Sequence, residues 1–207
     1  YELDRNFPTI SKTDPLILAS ASPRRKRLLQ QVGLPFLSLP SDIDEENVAG
    51  TAFDIAHILA EKKVKAAHSE HGKSWILGAD TIVVLGESIL GKPKDSEEAR
   101  SMLNLLSGKE HEVITGFSII DPSGELVHTE HVSTLVNIKK LSEREITGYV
   151  ATGEPFGKAG SYGIQGIGSF MVNSITGSYS NVVGLPLCEL IKSLLTLGAL
   201  ENFPLAY

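Results

Sequence analysis

The sequence predicts an α/β fold, with a mixed central sheet and flanking helices. Three observations point there. Strand-like apolar runs alternate with helical patterns over the first 90 residues, as in parallel βαβ units. Two β-patterned runs, 111–120 and 125–136, flank the turn sequence DPSG, which predicts an antiparallel hairpin in mid-chain. Combining the two pairings makes the sheet mixed. No shift in composition marks a linker, so the chain reads as one unit, drawn as two lobes with a cleft.

Each element has local support. Residues 1–14 read as a polar extension and 16–19 as a short apolar strand. Ser22-Pro23 supplies an N-cap and a proline at the first helical position, and Gly33 ends that helix. A second strand covers 36–39, and 40–50 form an acidic loop. A helix is expected over 52–67, followed by the polar loop SEHGKS. Residues 75–85 are the strongest strand pattern, turning at Gly86-Glu87 into 88–90. Asp95 and Glu98 resemble a capping box for a helix to Leu106, stopped at Gly108. Ser142 and Glu145 make a second box, closed by Gly153. Residues 157–184 read as loops with short strands, and a last helix runs from Pro186 to Gly198.

The 207 residues carry a net charge of −6 and have a pI near 5.5. Nucleic-acid-binding domains are usually basic, so nucleic acid is not an expected partner. No run reaches the ~18–20 apolar residues of a membrane span, and the opening residues lack the apolar segment of a signal peptide. No membrane contact is expected. The single cysteine, Cys188, excludes an intrachain disulfide and a cysteine zinc cage, and fits a reducing, cytoplasmic setting.

Against this acidic background stands LILASASPRRKR, with four consecutive cations at 24–27. A helix turns about 100° per residue. Leu28, Leu29 and Val32 define its inward face. Arg25 falls in the middle of that face and Arg24 at its edge, while Lys26 and Arg27 point away. A buried guanidinium needs a partner. The helix N-terminus beside Ser20 offers a phosphate site, with free backbone N–H groups and a positive dipole end. The chain has no P-loop pattern.

Other polar residues interrupt apolar patterns. Lys63 continues the stripe of Ala52, Ala56 and Leu59. Either its stem lies on the core with the amine in water, or the amine binds phosphate. Asp80 interrupts the buried-type strand WILGADTIVVL. It is either a strand-end cap or a group used for metal binding or proton transfer. Gly78 leaves room there for another backbone or a ligand. Glu45 in the acidic loop, Lys92 in GKP and Gln165 in YGIQG each have a plain solvent or turn reading. Together these residues suit metal-assisted attack on a phosphoanhydride.

The chain resembles the Maf family of nucleotide pyrophosphatases, from LASASPRR through LAEKKVKAA, GADTIVVL, GKPKDSEEARSMLNLLSGKEHEVITG, GYVATGEP and KAGSYGIQG to NVVGLPL. The order and spacing of these pieces carry the resemblance. It implies hydrolysis of a nucleoside triphosphate to the monophosphate and pyrophosphate, with Mg²⁺ or Mn²⁺, on a fold shared with inosine-triphosphate pyrophosphatases. It also implies a single Maf-like domain over 15–207 and a homodimer. Ser20, Arg24 and Arg25 match the phosphate signature, and Lys63 and Lys92 the two family lysines. Glu45 matches an acidic position near the metal. Asp80 matches the proton acceptor that activates water and can ligate metal. Arg24, Thr81 and Gln165 resemble the specificity set of the branch acting on dTTP and UTP, and an amide can both donate to and accept from a pyrimidine edge. Gly157 departs from the aspartate of the family's D-K-A-G segment. Two other readings keep a place: the same chemistry on a modified purine, and a septum-formation regulator acting by partner binding rather than a house-cleaning enzyme.

Overall fold

The computed structural model describes residues 7–40, 43–45 and 48–205. Among them lies a seven-stranded mixed sheet flanked by helices. Its strands are β1 (Leu16–Leu18), β2 (Phe36–Ser38), β3 (Ile76–Leu85), β4 (Ser88–Leu90), β5 (Glu110–Ile120), β6 (Leu126–Ile138) and β7 (Val172–Thr176). The order is β2-β1-β3-β5-β6-β7, with β4 also on β3. β1 runs parallel to β2 and β3, and the other pairs are antiparallel.

The helices are α1 (Pro23–Gln31), α2 (Ala52–His71), α3 (Ser96–Leu106), α4 (Glu143–Ala151), α5 (Tyr179–Val183) and α6 (Leu187–Thr196). Their starts are chemically marked. The Ser142 side chain accepts from Glu145 N, and the Glu145 carboxylate accepts from Ser142 N, a full capping box. At α3 the Asp95 carboxylate accepts from the N–H groups of Glu97 and Glu98. Glu98 reaches past the cap to Lys94 N instead, at 2.7 Å. A second full box, Thr51 with Asp54, opens α2. That helix continues four residues beyond its expected end at 67, because no glycine or proline interrupts it before Gly72. Residues 157–184 hold more helix than expected: two short 3-10 turns (Ala159–Ser161 and Gly166–Met171), one strand and α5.

The two faces of the sheet differ. α2 alone covers much of one, packing Ala56, Val64 and Ala67 on Ile76, Ile82, Ile114 and Ile120. The other face carries two cores. One joins Leu18, Leu77, Ala79 and Phe117 to Leu28 and Leu29 of α1 and Leu190 and Leu194 of α6. The second joins Val83, Val113, Val136 and Ile138 to α3 and α4. Between them runs a polar belt of Thr81, Thr115, Thr134 and Asn181, linked by hydrogen bonds.

The described part of the amino-terminal segment joins the first core rather than extending from it. Ile10 is buried there with Phe7 against the same cluster. Trp75 Nε1 donates to Pro8 O at 3.0 Å, and Ile10 N donates to Ala199 O at 2.8 Å. Three apolar residues, Phe7, Pro8 and Ile10, outweigh the polar composition around them.

Candidate active site

β1 and β4 lie on the same edge of β3, but not end to end. β1 pairing stops at Leu18↔Leu77 and β4 pairing begins at Val83↔Leu90. In the gap between, Asp80 and Thr81 form the floor of a cavity of about 360 Å³. One lip is the turn from β1 into α1. The other is the chain after β4, which carries Lys92. The cavity therefore sits at the carboxyl end of a parallel strand, where open α/β sheets place ligands.

Strand alternation splits the floor. Asp80 faces α2, and its neighbour Thr81 faces the polar belt. Two glycines let α2 approach. A Cβ on Gly78 would lie 2.7 Å from Ala60 O, and one on Gly116 would lie 2.7 Å from Ala56 O. Gly116 is the cross-strand partner of Asp80. This close approach of helix to sheet brings Lys63 onto Asp80. The space beside Gly78 is thus filled by helix backbone, not by ligand.

Lys63 Nζ lies 2.6 Å from Asp80 Oδ1 and 2.8 Å from Glu45 Oε1. Glu45 Oε2 accepts from Lys92 Nζ at 2.9 Å. Burial would raise the Glu45 pKa, but the hydrogen bonds from Lys63 and Lys92 outweigh it and hold the carboxyl down to about 2. Among the described residues, no group of three His, Cys, Asp or Glu is placed to hold a metal. Two carboxylates do converge on one ammonium, which marks a place where positive charge is stabilised. A divalent cation that takes one or two carboxylates and completes its shell with phosphate and water fits that donor set.

On the opposite wall Arg25 is buried and fully engaged on its protein side. Nε donates to Gly184 O at 2.7 Å, one terminal nitrogen to Ser20 Oγ at 3.2 Å, and the other to Thr81 Oγ1 at 3.0 Å. Burial lowers its pKa and Asp80 opposes the shift. Arg24 is half-buried in the same wall, its pKa lowered by burial and raised by Tyr149. Arg27 is exposed, but Lys26 is only partly so.

The far wall is the segment 157–165. Lys158 lines the cavity, and burial followed by repulsion from Arg24 lowers its pKa. Gln165 lines it too, with its Oε1 buried and without a hydrogen-bond partner among the described residues. Glu154 braces this wall by accepting from Tyr149 OH and from the N–H groups of Ile167 and Gly168. Ser20, Arg24, Arg25, Glu45, Lys63, Asp80, Thr81, Lys92 and Gln165 all line this one cavity. Sequence reasoning passed over Lys158 as a cavity group, the Gly184 carbonyl, Thr115 and Asn181. The last could have been noticed as a lone amide beside the apolar run VVGLPL.

The family model for Maf-like proteins matches residues 15–197. The chain belongs to the Maf family. A protein of Citrifermentans bemidjiense named dTTP/UTP pyrophosphatase is 50% identical over 192 residues, covering 92% of this chain and all of that one. One of Ruminiclostridium cellulolyticum with the same name is 50% identical over 177 residues, covering 84% and 92%. Among solved structures, the Staphylococcus aureus Ham1 protein aligns with a TM-score of 0.43 at 17% identity, covering 60% of this chain and 72% of that one. Three of the segments that carry the resemblance reach the cavity: all of SASPRR at one lip, Asp80 and Thr81 of GADT at the floor, and Lys92 of GKP at the other lip.

Proposed function

We propose that this chain hydrolyses dTTP and UTP to the nucleoside monophosphate and pyrophosphate. The observation that carries the reading is one cavity whose walls bring Arg24, Arg25, Lys63 and Lys92 around the carboxylates of Glu45 and Asp80. Four cations suit a triphosphate, and a carboxylate among them suits proton removal from water. The names of the 50%-identical relatives support the same substrate pair.

In this reading Ser20, the first-turn N–H groups of α1, Arg24 and Arg25 take phosphate oxygens. Lys92 and Lys63 neutralise further phosphate charge. Asp80, oriented by its bond to Lys63, accepts a proton from water. The water oxygen attacks the α-phosphorus, the bond to the bridging oxygen breaks, and pyrophosphate departs. Glu45 and Asp80 would hold Mg²⁺ or Mn²⁺, which when bound neutralises phosphate charge and polarises the reacting centre. Gln165, whose buried carbonyl oxygen has no hydrogen-bond partner among the described residues, reads the base together with Arg24. On the family resemblance, the working unit is a homodimer in the cytoplasm.

The test is a panel of nucleoside triphosphates with Mg²⁺ or Mn²⁺, followed by pyrophosphate release. Release from dTTP and UTP above all others is expected. Release from purines alone would overturn the base assignment, and no release from any nucleotide would overturn the enzyme reading and favour a partner-binding regulator.

A further inference from the structure

Thr81 belongs to the set that the resemblance ties to base choice, but its hydrogen bonds point elsewhere. Thr115 Oγ1 donates its only proton to Asn181 O at 3.0 Å, since a carbonyl can only accept. The 2.9 Å contact between the Thr81 and Thr115 hydroxyls must then be a donation from Thr81. Thr81 has spent its one proton inward and accepts from Arg25 on its other side. It has no proton left to give a base.

We propose that Thr81, Thr115 and Asn181 are positioning residues that fix the Arg25 guanidinium for phosphate. The relay runs from Arg25 through two hydroxyls to the backbone of α5, and the same short helix is followed by Gly184, whose carbonyl accepts from Arg25 Nε. Asn181 anchors α5 to the sheet: its Nδ2 donates to Val113 O and to Thr134 Oγ1, both at 3.0 Å, and the residue is fully buried. A guanidinium has five N–H donors. Three are held by Gly184, Ser20 and Thr81. One N–H remains on each terminal nitrogen, a pair that one phosphate group can accept. Three fixed bonds set the plane of that fork before any ligand arrives, which lowers the ordering penalty of binding.

The relay rests on the proposed function only for the class of ligand, so the test separates the two. Inorganic tripolyphosphate, without added metal, is titrated into wild-type protein, Thr115→Val and Thr115→Ser by calorimetry. Nucleotide preference is read from pyrophosphate release by the same proteins. Thr115→Val keeps the shape but offers Thr81 no acceptor. Its tripolyphosphate affinity should fall about tenfold, with the ratio of dTTP to other nucleotides unchanged, and Thr115→Ser should restore the affinity. If wild-type protein releases no pyrophosphate yet shows this pattern, the function reading fails and the relay stands. Unchanged affinity in Thr115→Val, or an altered base preference with affinity intact, overturns the relay. Should Thr115→Val fail to fold, Thr81→Val against Thr81→Ser asks the same question at the cavity surface with the same two outcomes.

Discussion

Replacing Asp80 by asparagine should abolish chemistry and spare binding. The side chain is 13% exposed and bonded to Lys63, itself 9% exposed. Removing one partner of a buried pair typically costs about 3–5 kcal/mol. Here the loss is smaller, because Glu45 still holds Lys63 at 2.8 Å and the amide oxygen can still accept from the ammonium. A destabilisation of about 1 kcal/mol follows, which leaves the protein folded. Loss of a general base removes about 10²–10⁴-fold in rate, or roughly 3–5 kcal/mol of transition-state stabilisation. The assay is the initial rate of pyrophosphate release at saturating dTTP, beside calorimetric affinity for a non-hydrolysable analogue. A rate near that of the wild type would refute the role given to Asp80. So would a variant whose deficit lies wholly in affinity.

Three further outcomes are expected. Gly78→Ala puts a Cβ 2.7 Å from Ala60 O and 2.8 Å from Val64 Cγ1. It should destabilise by about 2 kcal/mol in urea unfolding and lower kcat by moving Lys63, and an unchanged midpoint would show that α2 can retreat. Glu45 ionises near 4.5 when unfolded and about 2 when folded, so its contribution is present above pH 4.5 and lost as the pH falls towards 2. With 37% of the side chain exposed, screening leaves about 1 kcal/mol. Glu45→Gln should therefore be less stable than wild type at pH 7 and nearly equal at pH 2.5, and an equal deficit at both would contradict the ion-pair account. Arg25→Lys loses the fork and at least two of its three protein bonds, and should raise KM at least tenfold. Arg27→Ala, on the exposed side of α1, should leave KM unchanged; comparable effects from the two would undo the angular argument.

Much of this site was legible because charge on a predicted apolar face is a local anomaly. Arg25 and Lys63 were visible from helical angle and Asp80 from strand pattern, each without knowledge of its partner. The partners depend on tertiary geometry. Lys63 meets Asp80 because Gly78 and Gly116 admit α2 against the sheet, and Gly116 lies 36 positions beyond Asp80 in the sequence. Adjacent Asp80 and Thr81 look like one motif in sequence, yet strand alternation sends them to different walls. The role of Thr81 becomes visible only once Thr115 and Asn181 are seen behind it. The segment 157–184 resisted reading because its glycines and serines support turns, 3-10 helix and strand alike. The amino-terminal residues read as polar by composition, yet Phe7, Pro8 and Ile10 together fasten the described ones to Trp75, Ala199 and the first core.

The central claim is attack of water on the α-phosphorus of dTTP or UTP, with pyrophosphate as the leaving group. Turnover of dTTP in ¹⁸O-labelled water, followed by mass spectrometry of the products, tests it directly. Label should enter the phosphate of dTMP and be absent from pyrophosphate. Label in pyrophosphate, or products consisting of dTDP and labelled inorganic phosphate, would contradict it.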